Sequence, residues 1–153
     1  MTKPYFPEES ITLARNIELL RGHRVAVLGH RRPDGDCIGS QVALARVLNA
    51  TGIEAVAVNV DPIPRTLKAF VGDTPFFLAS DLPVGEFLAV SVDCADHARV
   101  GDSVRDRFPN VLLNIDHHVS NTLYGETNLI LPEACATGEI LAGLFFDNEL
   151  AVD

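Results

Sequence analysis

The stretch HRVAVLGHRRPDGDCIGSQVALARVLNATGIEAVAVNV, residues 23–60, decides the fold. HRVAVLGH is a short continuous apolar run with β-branched residues, which suits a strand buried on both faces. IGSQVALARVLNATG, residues 38–52, places Val42, Ala45 and Leu48 along one side of a helix and ends it at Gly52. IEAVAVNV then reads as a second buried strand. Strand, helix and strand in that order make a handed crossover, and the crossover implies a parallel sheet.

Working outward, residues 8–21 place Ile11, Ala14, Ile17 and Leu20 on one face of an opening helix that Gly22 stops. The segment from Asp61 to Val84 carries Pro62, Pro64, Pro75 and Pro83 and reads as irregular, with one short helix over Arg65 to Phe70. EFLAVSVD and NVLLNID are a third and a fourth buried strand, and ADHARVGDSVRDRF between them is a loop with a short exposed helix. TNLIL is a weaker strand. After Thr137, the residues Ile140, Leu141, Leu144 and Phe145 share the face of a last helix. The expected fold is a three-layer α/β domain on a mostly parallel sheet of about five strands.

At 153 residues the chain fits one ordinary domain. A hydrophobic content of 47% with 22% charged residues is that of a globular protein rather than a disordered one. No apolar run is long enough to span a membrane, and MTKPYFPEES has no signal-peptide pattern, so a cytoplasmic location is expected. Cys37, Cys94 and Cys135 are odd in number and widely spaced, as for buried thiols in a reducing compartment. A net charge of −9 is unfavourable for gripping long nucleic acid. It does not exclude a phosphate-bearing substrate, because bound divalent cations invert the field at a carboxylate-rich site.

Three of the apolar strands end alike. RVAVLGH runs into His30, Asp34 and Asp36; FLAVSVD ends at Asp93; VLLNID ends at Asp116, His117 and His118. In an open parallel sheet the strand C-termini share one edge, where ligands bind at the topological switch. Carboxylates gathered there repel one another unless something positive sits among them. Aspartate and histidine without thiolate suit manganese or magnesium, or cobalt and zinc, and so many donors favour two ions over one. PDGDCIGS lacks the ligands of a calcium loop and the lysine of a P-loop. The chain has neither G-x-G-x-x-G nor G-x-S-x-G, the usual marks of dinucleotide binding and serine hydrolysis.

Taken together, HRRPDGDCIGS, VSVDCAD and NIDHHVSN resemble the DHH phosphoesterases, a family named for the motif carried here by Asp116, His117 and His118. Within that family the first and third motifs look most like the bacterial branch of oligoribonucleases and 3′-phosphoadenosine 5′-phosphate phosphatases. The resemblance implies hydrolysis of short oligoribonucleotides or of that nucleotide by a water activated between two divalent ions, most simply manganese. It implies that His30 and Asp34 hold one ion and Asp36 and His117 the other, with Asp93 bridging and His118 contacting the scissile phosphate. Asp116 would orient the histidines and Asn121 would help to order their loop. Ser40, read with Gly39 as opening the next helix, would meet substrate phosphate at the helix N-terminus.

The family pattern also has a further metal-binding aspartate beyond the DHH motif and a second, substrate-holding domain. Residues 1–153 are therefore expected to be the N-terminal catalytic domain of a longer protein, with Asp147 and Asp153 poor substitutes for the further ligand. The expected partner is a short oligonucleotide or nucleotide phosphoester, with no membrane and with a homodimer left open. Cyclic dinucleotide phosphodiesterase, inorganic pyrophosphatase and non-catalytic nucleotide sensor are the other readings.

Overall fold

The computed structural model describes residues 3–151. Helix α1 (Pro7–Leu20) begins with proline at its first position, where a missing N–H removes no helical bond, and carries Glu8 and Glu9 at its positive end. Strand β1 (Val25–Leu28) leads through the PDGD turn into α2 (Gly35–Ala50), and β2 (Ala55–Asn59) completes the first crossover. A 3₁₀ turn (Arg65–Leu67), α3 (Lys68–Val71) and β3 (Phe76–Leu78) follow. The second half comprises β4 (Leu88–Val92), a 3₁₀ turn (His97–Val100), α4 (Asp102–Arg107), β5 (Val111–Asp116), β6 (Gly125–Ile130) and α5 (Thr137–Asp147).

The strands form one six-stranded sheet in the order β3-β2-β1-β4-β5-β6, with every pairing parallel. The chain builds outward from β1 to β3, then returns to the other side of β1 with β4. The C-terminal ends of β1 and β4 are therefore neighbours that diverge into opposite halves, which opens a crevice between them. One face of the sheet packs Val25, Val27, Val90, Val92, Leu113 and Ile115 against α1, α2 and α5. The other face packs Ala26, Leu28, Val56 and Val58 against Val100, Val104 and Phe108. These are the three expected layers.

Three sequence expectations change. The sheet has six strands because Phe76–Leu78 forms a short edge strand beside β2, in a stretch read as irregular. Pro75 stands just before it, a position where its missing N–H breaks no ladder bond. Helix α1 has the expected period but a different phase. It buries Leu13, Ile17 and Leu20 while Ile11 and Ala14 are exposed, since Leu13 removes more apolar surface from water than Ala14 would. Helix α2 starts at Gly35, not near Gly39, because the Asp34 side chain accepts the Cys37 N–H at 3.0 Å and caps the helix earlier.

Helices α1 and α5 are tied at one end. The Asp147 carboxylate accepts the backbone N–H groups of Tyr5 and Phe6 and the Ser10 hydroxyl, at 2.8, 2.8 and 2.9 Å. Asp153 lies outside the described residues.

Candidate metal centre

Gly29, the first residue after β1, allows α2 to sit directly on the strand exit. A β-carbon there would lie 2.5 Å from Gln41 Oε1 and 2.6 Å from Cys37 Sγ. The Gln41 amide holds the contact by donating to the carbonyls of Val27 and Val58 at 2.8 and 3.3 Å. His30 follows, buried. Its Nδ1 donates to the Arg31 carbonyl at 2.8 Å, which fixes the proton there and leaves Nε2 as a bare lone pair. That Nε2 faces Asp34 Oδ1 at 3.8 Å and Asp93 Oδ2 at 3.6 Å.

Asp93 follows β4 with φ of 53°, a left-handed conformation uncommon for a residue with a side chain. Such strain persists only where surrounding contacts hold it. Its carboxylate is 1% exposed and stands between two sets of donors. On the far side, His117 Nδ1 faces the Ala134 carbonyl at 3.3 Å, so Nε2 is again the free nitrogen. It lies 3.6 Å from Asp93 Oδ1 and 3.7 Å from Asp36 Oδ2.

These separations decide what the cluster can do. They are too long for strong hydrogen bonds, yet close to the spacing of roughly 3.0–3.5 Å between neighbouring donors that each lie about 2.1 Å from one ion. His30 Nε2 stands between Asp34 and Asp93, His117 Nε2 stands between Asp36 and Asp93, and the two oxygens of Asp93 divide between the two histidines. The donors that lie closest to one another are His30, Cys37 and Asp93 on one side and Asp93, His117 and His118 on the other, with Asp34 and Asp36 at their margins. Carboxylate and imidazole donors of this kind suit a divalent cation of the hard or borderline class.

Asp116 is fully buried behind the histidines. Its Oδ1 accepts the His117 backbone N–H at 2.9 Å and His118 Nδ1 at 2.7 Å, while Oδ2 accepts the Asn121 amide at 2.7 Å. Asn121 also accepts from Leu123 N and from the Asn114 amide, which closes the loop after the histidines. His118 is thereby held with Nδ1 protonated and Nε2 without a protein partner among the described residues.

The structure places His30, Asp93, His117 and His118 together, with Asp36 beside His117, Asp116 and Asn121 behind the histidines and Asp34 at the exposed margin, and gives Ser40 a different setting. It lies one turn inside α2, 1% exposed, with its hydroxyl 3.4 Å from Asp36 Oδ1. It supports Asp36 instead of presenting a helix N-terminus. Sequence reading missed Thr137 and Gly138. Their backbone N–H groups donate to the two oxygens of Asp36 at 2.8 Å each, and the buried Thr137 hydroxyl donates to Asp93 Oδ1 at 3.0 Å. The signal was available, because a helix that follows a parallel strand starts at the edge where that strand ends.

Removing only the hydroxyl tests this support. Thr137→Val is expected to weaken manganese binding about 10- to 100-fold, as for other groups that orient ligands, and Thr137→Ser to restore it. Titration of manganese into the metal-free protein measures both.

Without metal, Asp93 holds its proton above the ordinary carboxylate range, chiefly through burial, with the Asp36 and Asp34 charges adding to the effect. His30 is raised above 6.5, chiefly by the neighbouring Asp93 carboxylate, against the opposing pull of burial. A metal must displace these protons. Affinity is therefore complete at pH above the raised values and falls as pH drops through them, by about tenfold per unit for each proton displaced. Calorimetric manganese titrations from pH 8.5 down to 6 should show that loss begin above 6.5. A flat profile would remove His30 from the ligand set.

Cys37 lies with His30 and Asp93 in one group of donors, where burial pushes its thiol far upward in the metal-free protein, and burial pushes Cys94 up to about 11. Both are neutral at ordinary pH.

Residues 24–152 match the profile of the DHH family, N-terminal domain. Over 143 residues, 93% of the chain, it is 32% identical to a bifunctional oligoribonuclease and PAP phosphatase NrnA of Thermus thermophilus, covering 42% of that protein. It is 30% identical over 83% of its length to a probable manganese-dependent inorganic pyrophosphatase of Streptococcus mutans, covering 49% of it. An exopolyphosphatase-related protein from Bacteroides fragilis shares the fold, with a TM-score of 0.76 at 20% identity over 95% of this chain and 45% of its own. The chain spans under half the length of each of these relatives. With its profile match running from β1 to beyond α5, the chain belongs to the DHH family.

Proposed function

We propose that the protein carrying this chain is a manganese-dependent phosphoesterase that hydrolyses short oligoribonucleotides, 3′-phosphoadenosine 5′-phosphate or both, in the cytoplasm. The observation that carries the reading is the buried Asp93 carboxylate at the β1–β4 crevice, shared by two groups of donors, with His30 and Asp34 on one side and His117 and Asp36 on the other. The first relative's oligoribonuclease and phosphatase activities support the substrate class. Among the described residues no helix is long and apolar enough to cross a membrane.

Two bound divalent ions at such a site would supply an acidified water and neutralise charge on the phosphoryl oxygens. The chain does the positioning. Asp93, on a left-handed backbone, turns one oxygen toward His30 and the other toward His117. Asp36 is oriented by the start of α5, and Asp34 by its own capping bond. His118 keeps a proton on Nδ1 against Asp116, so its Nε2 is available to the phosphate. Carrying a proton on Nε2 as well, the ring donates to a phosphoryl oxygen.

The test uses the protein that carries this chain, loaded with manganese, on RNA dinucleotides, 3′-phosphoadenosine 5′-phosphate, pyrophosphate and cyclic di-AMP. Cleavage of either of the first two, lost on chelation, is the expected outcome. Failure on all four with metal bound would sink the enzyme reading. Two equivalents of manganese favour the phosphoesterase, and none favours a nucleotide sensor.

A further inference from the structure

We propose that Arg31, Arg32 and Arg99 form a rim beside the metal centre that binds a second, uncleaved phosphate of a nucleotide substrate, an inference that rests on the phosphoesterase reading above. The chain carries a net charge of −9, and several of its cations are matched. Arg21, Arg24, Arg46 and Arg105 pair with Glu18, Glu54, Asp73 and Asp102. Arg107 donates to the carbonyls of Leu82 and Pro83. Among the described residues Arg31, Arg32 and Arg99 have no carboxylate within ion-pair distance. Arg15, Arg65 and Lys68 also have none, but the first three stand on the loops that follow β1 and β4, beside His30 and Asp93.

Backbone bonds fix where these three stand. The Arg31 N–H donates to the Arg99 carbonyl at 2.7 Å, which joins the loop after β1 to the 3₁₀ turn after β4. The Arg31 carbonyl in turn holds His30 at 2.8 Å. Arg32 adopts φ of 51° and donates its N–H to Asp61 Oδ2 at 2.7 Å. That conformation is sparsely populated for a residue with a β-carbon, and it is kept at a position next to a metal-site loop. Two carboxylates on these loops take backbone N–H groups, Asp61 this one and Asp96 that of Ala98 at 2.8 Å. The Arg99 charge also reaches Cys94, the residue after Asp93, and opposes the upward push of burial there.

Three guanidinium groups are thus carried on two tied loops that flank the metal donors. Guanidinium forks match phosphate oxygens bidentately. A phosphate under hydrolysis would sit at the ions, so the rim serves another one, separated by a nucleoside. A 5′-phosphorylated dinucleotide and 3′-phosphoadenosine 5′-phosphate both offer this; a simple diester does not.

The test measures Arg31→Ala, Arg32→Gly, Arg99→Ala and the triple variant in the protein that carries this chain. Glycine is chosen at 32 because it keeps the left-handed backbone while deleting the charge. With manganese, KM for the phosphorylated dinucleotide is expected to rise about tenfold for each arginine removed, and turnover of bis(p-nitrophenyl) phosphate to stay within about twofold. The slope of log KM against log salt should shrink by about 0.7 for each. Parallel rises with 3′-phosphoadenosine 5′-phosphate would extend the rim to both substrates, whereas a rise with the dinucleotide alone would restrict it to chains. Fluorescence anisotropy of labelled dinucleotide on calcium-loaded protein reads binding without turnover. If wild-type protein cleaves nothing yet binds in an arginine-dependent way, the phosphoesterase reading fails and the rim stands. Unchanged anisotropy and KM in the triple variant, or equal losses with the simple diester, would overturn the rim.

Discussion

Asp93→Asn is expected to lower kcat/KM on the order of a thousandfold or more, a loss of about 4 kcal/mol of transition-state stabilisation, while leaving the fold intact. One carboxylate contributes an oxygen to each donor set, so the change weakens both at once. Asparagine keeps the shape but offers one oxygen and an amide, and the amide cannot take the place of the second oxygen. Stability should move the other way. Burial already disfavours the ionised form of Asp93, so a neutral side chain relieves that cost in the metal-free protein. Manganese titration, steady-state kinetics and thermal melting of the metal-free form separate the two effects. Near wild-type turnover would remove Asp93 from the bridge, and a large fall in melting temperature would recast it as a structural residue.

Gly29→Ala should act through packing. The added methyl would meet Gln41 and Cys37 at 2.5 and 2.6 Å, inside any tolerable contact, and both side chains are fully buried. Neither can swing into solvent, so α2 must shift. The expected cost is about 1–3 kcal/mol of stability, as for other overpacked interiors, read as a lower denaturant midpoint with an unchanged slope. Because α2 carries Asp36 and is capped by Asp34, the same shift should reduce metal affinity. A Gly29→Ala protein with wild-type stability would show that the α2 contact is looser than these distances say.

The central strands were legible because their runs are apolar throughout, as burial on both faces of a parallel sheet requires. Once those strands were parallel, the convergence of His30, Asp93 and the DHH triplet followed from sheet geometry alone. Phe76–Leu78 was hidden because an edge strand of three residues carries no period long enough to see, and the flanking prolines speak for a loop. The phase of α1 was misread because Ile11 and Leu13 both fit a 3.6-residue repeat, and only the packing partners on α5 choose between them. Thr137 carries no chemical mark in sequence. Its part in the site arises from a hydroxyl and two amides delivered by the start of a helix more than forty positions after Asp93.

The sheet order has a mechanical side. Strands β1 to β3 lie on one flank and β4 to β6 on the other, joined by a single covalent connection between Leu78 and Leu88. Under the proposed assignment the first flank supplies His30, Asp34 and Asp36 and the second supplies Asp93 and His117. A chain cut in that connection would leave neither fragment with a complete set of donors for either ion. Reassembly of the two fragments would then depend on free manganese, and the metal concentration would set how much of the domain is whole.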